Sequence, residues 1–153
     1  MTTQPDYLTH FRRYAEAYEA SLGDHVETER IRAFFANEFM GLSIAGGINV
    51  GKNDETFVEA LQQGFAFYKG IGTTAMRVIG VDFGQLAENH DRVRVSYAAG
   101  YRRKDGTVLD IEFDVVYLLQ RQQAGPKIFA FIAGDEFGAY RKHGLVDAEG
   151  RPI

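Results

Sequence analysis

Lys104-Asp105-Gly106 separates two long runs in which apolar and polar residues alternate, Arg92 to Arg102 and Val108 to Gln120. Asp-Gly between alternating runs is the strongest short-range signal for a β-hairpin. The turn also decides which side chains share a face of the sheet. A two-residue Asp105-Gly106 turn sets Tyr97 opposite Asp114 and Ala99 opposite Glu112, so apolar residues meet acids. A three-residue loop, with Lys104 and Asp105 in a type I turn and Gly106 left-handed as a bulge, shifts the pairing by one. Tyr97 then faces Phe113, Val95 faces Val115, Val93 faces Tyr117 and Ala99 faces Ile111. A slip of one residue exchanges the two faces, so hydrophobic matching selects the three-residue loop. One face is aromatic and aliphatic. The other gathers Arg92, Arg94, Ser96 and Ala98 from the first run, and Asp110, Glu112, Asp114, Val116 and Leu118 from the second.

At 153 residues the chain suits one domain, 1–153, able to bury a core without staples. The absence of cysteine excludes disulfides, a thiol nucleophile and a thiolate metal site. A net charge of −4 with no Lys/Arg stripe argues against nucleic acid or an anionic membrane surface as partner. Met1 to Asp6 lacks a basic stretch followed by an apolar one, so it does not read as a leader. Apolar runs such as Ile128 to Ala133 are too short to span a bilayer, and the expected location is the cytoplasm.

Tyr7, Leu8, Phe11, Tyr14, Ala15, Tyr18 and Leu22 recur at helical spacing, and Gly23 ends the pattern. Asp24 with Glu27 reads as a capping box for a second helix with Ile31, Phe34 and Phe35 inward. Phe39 to Ala45 reads as a short strand ended by Gly46-Gly47. Asn53 reads as the cap of a third helix striped by Phe57, Leu61, Phe65 and Tyr68, and Gly70 and Gly72 stop it. From Thr74 onward the period is that of strands: Ala75 to Leu86, with Gly80 and Gly84 marking bends or bulges, then the hairpin, then Lys127 to Ala133. Gly134 to Leu145 is a short terminal segment and the rest reads as frayed, which leaves an ordered core over about 7–145. Helices first and a meander of strands second is the pattern of an α+β domain with helices on one side of a curved antiparallel sheet.

Gly46 to Asn53 nearly matches the phosphate loop GxxxxGK[ST], but Asn53 lacks the hydroxyl that would hold Mg²⁺, and no parallel sheet surrounds it. It reads as a Gly-rich connection. His10, His25, His90 and His143 show no ligand spacing, and no serine sits in a nucleophile elbow, so no metal, cofactor or acyl-enzyme chemistry is implied. Asp114 lies mid-strand among Phe113, Val115 and Val116. Were its face covered by helices, desolvation would raise its pKa and fit it for acid or base work. An ordinary cross-strand ion pair with Arg94 is the plainer reading. Asp135 and Glu136, at the end of the last strand, are weaker candidate acids, and a solvated strand end is the plainer reading. Tyr14 and Tyr18, one turn apart, read as core tyrosines or as phenols directed into a cavity.

Three helices, a Gly-containing loop and a long meander carrying Ile111-Glu-Phe-Asp114-Val-Val-Tyr-Leu118 resemble the nuclear transport factor 2-like superfamily, which includes ketosteroid isomerase and the polyketide cyclases. The resemblance spans Tyr7 to about Leu145. It implies a cone-shaped curved antiparallel sheet with three N-terminal helices enclosing a pocket, and dimerisation through the outer sheet face. It implies an acid at Asp114 partnered by Tyr14 or Tyr18, with the isomerase base falling near Asn37 and Glu38. The cyclase acid would fall at Asp135, without a counterpart for its His partner. With the Asp114 face toward the cone, Arg94, Ser96, Glu112 and Val116 would line a pocket walled by Phe34, Phe39, Phe65 and Tyr68. Tyr97, Phe113 and Tyr117 would then be the outer face of a homodimer. The functions implied are a small-molecule isomerase, cyclase or lyase acting on an apolar metabolite, a non-catalytic binder of such a molecule, or an interaction module.

Overall fold

The computed structural model describes residues 4–153; Met1 to Thr3, part of the stretch that does not read as a leader, lie outside them. Four helices and six strands follow in the order α1 (Tyr7–Ala20), α2 (Thr28–Arg32), β1 (Phe35–Ser43), β2 (Ile48–Lys52), α3 (Glu55–Gly70), β3 (Thr73–Ala87), β4 (His90–Arg102), β5 (Val108–Gln122), β6 (Gly125–Ala133) and α4 (Glu136–Lys142). The strands form one open sheet in the order β2-β1-β6-β5-β4-β3. Every neighbouring pair is antiparallel except β1 and β6, which run parallel. The α+β class expected from the sequence is the one observed.

The β4–β5 hairpin has the three-residue loop. Tyr97 pairs with Phe113, Val95 with Val115, Val93 with Tyr117 and Ala99 with Ile111. Arg103 and Thr107 close the loop through an N–H···O bond of 2.8 Å, and Gly106 takes φ 91°, which an L side chain resists. β3 is bulged where Val78 and Gly80 pair with the consecutive residues Tyr97 and Ser96, whereas Gly84 stays in register with Arg92.

Which face is buried reverses the expectation. Val93, Val95, Tyr97, Val115 and Tyr117 are buried and lie under the helices, whereas Arg94, Glu112 and Asp114 face outward. The reason is area: the aromatic face offers the apolar surface that the stripes of α1 and α3 need to cover. Tyr97, Phe113 and Tyr117 belong to the interior and cannot form an outer interface.

Several helix ends differ from the reading. α2 starts after Glu27 without a side-chain cap; the Glu27 N–H instead donates to Ser21 Oγ (2.9 Å), and no Asp24–Glu27 capping box forms. Asp54, not Asn53, caps α3 by accepting from Thr56 N–H (3.0 Å). Asn53 instead donates to the carbonyls of Arg32 and Phe35 and accepts from Arg32 Nε, tying the end of α2 to the start of α3. The Gly46-Gly47 turn joins β1 to a second strand, so the loop read as a connection is half hairpin. The C-terminal segment is folded back: Leu145 and Val146 are buried, and Val146 bridges Pro152.

At one end of the sheet Arg121 holds the buried Asp91 at 2.7 and 2.9 Å, and Tyr7 donates to the same carboxylate at 2.6 Å. Burial works against the Asp91 charge, but the bonds from Arg121 and Tyr7 outweigh it and hold the carboxyl below its usual range.

Candidate functional site

Between the helices and the concave sheet face lies a cavity of about 220 Å³. Each element contributes by its own periodicity. α1 supplies Tyr14 and Tyr18, one turn apart, and α3 supplies the stripe Phe57, Leu61, Phe65 and Tyr68. Alternate residues of the strands supply Tyr97 and Tyr101 from β4, then Phe113, Val115 and Tyr117 from β5. β1 adds Phe35 and Phe39, and β6 adds Phe131 and Ala133. α4 closes the site with Glu136 and Tyr140, whose spacing of four puts them on one helix face. Gly41 makes room here: a Cβ built on it would come within 2.8 Å of the Phe131 ring.

Of the eight tyrosines, seven line this cavity; Tyr7 is the exception. Their rings interlock, Tyr18 lying 4.7 Å from Phe65 and 5.3 Å from Tyr68 between centroids, with Tyr97 stacked on Phe113 at 5.3 Å. The Tyr97 and Tyr117 hydroxyls share a 2.7 Å hydrogen bond. Burial pushes the phenols of Tyr14, Tyr18, Tyr68, Tyr97, Tyr117 and Tyr140 well above their ordinary pKa, and Tyr101 up to about 12. They are neutral hydrogen-bonding groups throughout the physiological range and cannot serve as phenolate bases.

Glu136 is the exception in this wall. Among the described residues it is the only carboxylate lining the cavity, and no Lys, Arg or His lines it. It sits at the mouth, where a second concavity shares Phe39, Tyr68, Phe131, Ala133 and Glu136 and runs out over the β1–β2 hairpin. Solvent reaches the residue there, yet protein crowds its carboxyl, and this desolvation raises its pKa. The first turn of α4 favours the anion through its backbone dipoles, and burial prevails over it. The Glu136 charge in turn raises the phenols of Tyr14, Tyr18, Tyr68, Tyr101, Tyr117 and Tyr140.

The sequence-derived site residues divide sharply. Tyr14, Tyr18, Phe39, Phe65 and Tyr68 line the cavity. Asp114, Arg94, Ser96, Glu112 and Val116 lie on the opposite face of the sheet, because that register puts them one residue out of phase with Tyr97 and Tyr117. Asp114 is half exposed and pairs with Arg94 at 3.6 Å, the plainer of its two readings. Phe34 packs on His10 and Tyr14 outside the cavity. Asp135 caps α4 by accepting from Gly138 N–H at 3.0 Å and borders an adjoining concavity, not this cavity. Sequence reasoning ranked Glu136, with Asp135, as a weaker candidate, below the reading of a solvated strand end, whereas Glu136 lines the cavity. The available signal was its i, i+4 spacing from Tyr140 directly after an Asp that opens a helix. Among the described residues no three His, Asp or Glu side chains converge on a possible metal position, and no helix is long and apolar enough to cross a membrane.

A family model described as NTF2-like protein (DUF6841) matches residues 6–136. The chain belongs to that family. Solved structures agree on the fold of this NTF2-like chain. Aln2 from a Streptomyces species superposes with a TM-score of 0.64 at 12% identity, covering 93% of this chain and 99% of the other. An NTF2-like protein with a cystatin-like fold from Novosphingobium aromaticivorans gives 0.62 at 12% identity, covering 86% and 82%. A ketosteroid isomerase-like protein from Erwinia carotovora atroseptica gives 0.57 at 14% identity, covering 83% and 91%. No curated protein matches the sequence significantly. At these identities the likeness is one of fold, and function is read from the site itself.

Proposed function

We propose that this NTF2-like protein binds a small, largely apolar molecule in its aromatic cavity and acts on it, or holds it, through Glu136. The observation that carries this reading is the single carboxylate, its pKa raised by burial, set in a wall of rings. An apolar cavity of about 150 Å³ holds benzene, so 220 Å³ suits a ligand of one to two rings. Where a reaction occurs, the wall supports proton transfer, as in an isomerase, cyclase or lyase, with Glu136 taking or giving the proton and the neutral phenols steadying an oxygen. The cytoplasm is the proposed location.

The test is ligand binding with Glu136→Gln, which keeps shape and removes the titrating group. A one- or two-ring probe, such as indole, should protect cavity tyrosines in proton NMR of the wild type with a Kd in the micromolar to millimolar range. If a small-molecule library produces no shift of any cavity resonance, the pocket reading is wrong. Against a substrate, the variant should retain binding and lose about 10²-fold or more in kcat; loss of binding alone would make the protein a carrier.

We also propose a homodimer through the outer sheet face, with different residues from those first expected. Cross-strand pairs place Val50 beside Met40 and Ile48 beside Leu42, continuing to Ile132 and Val116. Ile48, Val50 and Met40 are 66%, 75% and 39% exposed, an apolar patch of the kind that partners cover.

A further inference from the structure

The cavity wall is electrically one-sided. Aromatic faces carry the negative lobe of the ring quadrupole, and Glu136 adds a full negative charge when ionised. Nothing in the wall answers it, since no Lys, Arg or His among the described residues lines the cavity. An anionic ligand would meet Glu136 with no cation to receive it. A neutral ligand would offer the carboxylate no partner in place of the water it displaces beside it. A cation on an apolar body meets both features, since its charge pairs with Glu136 while its body fills the ring-lined interior.

We propose that the cavity selects an organic cation, an ammonium group carried on a one- or two-ring apolar body, seated with the charge at the mouth beside Glu136. This rests on the pocket reading above and names the class of its ligand. The groups facing Glu136 are consistent with that assignment. Tyr14 and Tyr18 come from α1, Tyr68 from α3, Tyr101 from β4, Tyr117 from β5 and Tyr140 from α4, and each stays neutral. Asp135, beside it in sequence, accepts from Gly138 N–H and borders an adjoining concavity, so Glu136 is the one titrating carboxylate of the cavity wall itself, and a bound cation favours its anion. The mouth suits a hydrated charge: it is lined by the hairpin glycines Gly41, Gly46 and Gly51 on one side and by Glu136 on the other, and remains open to water.

Phenyltrimethylammonium and tert-butylbenzene provide the test, because they share shape and differ in a permanent charge that does not titrate. Binding of each to the full-length protein is measured by calorimetry or proton NMR. The cation should bind about tenfold tighter or more than its isostere, and Glu136→Gln should remove most of that difference. The cation's affinity should also rise with pH as Glu136 ionises, while the isostere's stays flat. Equal or tighter binding of tert-butylbenzene by the wild type would overturn the cation assignment and leave the pocket reading standing. Failure of both probes to bind a natively folded protein would overturn the two together. The wild-type comparison needs no variant, so a folding defect in Glu136→Gln cannot blur the result.

Discussion

At the scale of single residues the protein separates the groups that hold it together from the group that faces a ligand. His10 belongs to the first kind. Its ring lies edge-on to Phe11 and Phe34 at 5.2 and 5.0 Å, and its buried Nε2 has no hydrogen-bond partner. Burial lowers its pKa to about 4, with Lys127 and Arg13 adding to the effect. The folded chain thus refuses a proton that the unfolded chain accepts near pH 6.5, so stability falls as pH drops from 6.5 to 4, by at most about 3 kcal/mol. Asp91 acts lower down: its folded pKa is depressed, so its contribution is present above its ordinary value of 3.8 and is lost as pH falls through the folded one. His10→Phe should flatten urea-derived stability between pH 6.5 and 4 and leave the steeper loss below pH 4. An unchanged slope in the upper window would show that His10 is not its source. Asp114 shows why residue identity alone misleads: an acid among apolar neighbours signals a buried site only when its own face is covered.

Elements were legible in proportion to how far their patterns are local. The hairpin register follows from matching Tyr97 with Phe113 and Val95 with Val115, and the structure has that register. The stripes of α1 and α3 were readable for the same reason. The face assignment was not, because alternation says that two faces differ and leaves open which one the helices cover. Nor were the parallel β1–β6 pairing and α4's return over the cavity, both set by contacts distant in sequence. Glu136 was ranked too low with them, since the tyrosines around it come from α1, α3, β4 and β5 as well as its own helix. The loop permits a direct check. Gly106 stands at φ 91°, where alanine is strained. Gly106→Ala should lower stability by about 1–2 kcal/mol in urea unfolding with an unchanged slope. A change below about 0.3 kcal/mol would mean that the loop readjusts and does not pin the register.

For the whole molecule, the two faces of one sheet are assigned to different tasks. The inner face holds the ligand cavity, and the outer face carries Ile48, Val50 and Met40 at its β1–β2 end. The proposed dimer should appear in light scattering at micromolar concentration, and Ile48→Asp, at a residue that lines neither the cavity nor its mouth, should shift it to monomer without weakening probe binding in the cavity. A wild-type monomer under those conditions would rule the interface out. The distribution of aromatic residues has a further consequence. There is no tryptophan, and seven of the eight tyrosines line the cavity. The near-ultraviolet absorbance, circular dichroism and emission of the folded protein therefore arise almost entirely from the binding site, so an incoming ligand announces itself optically, without any label being attached.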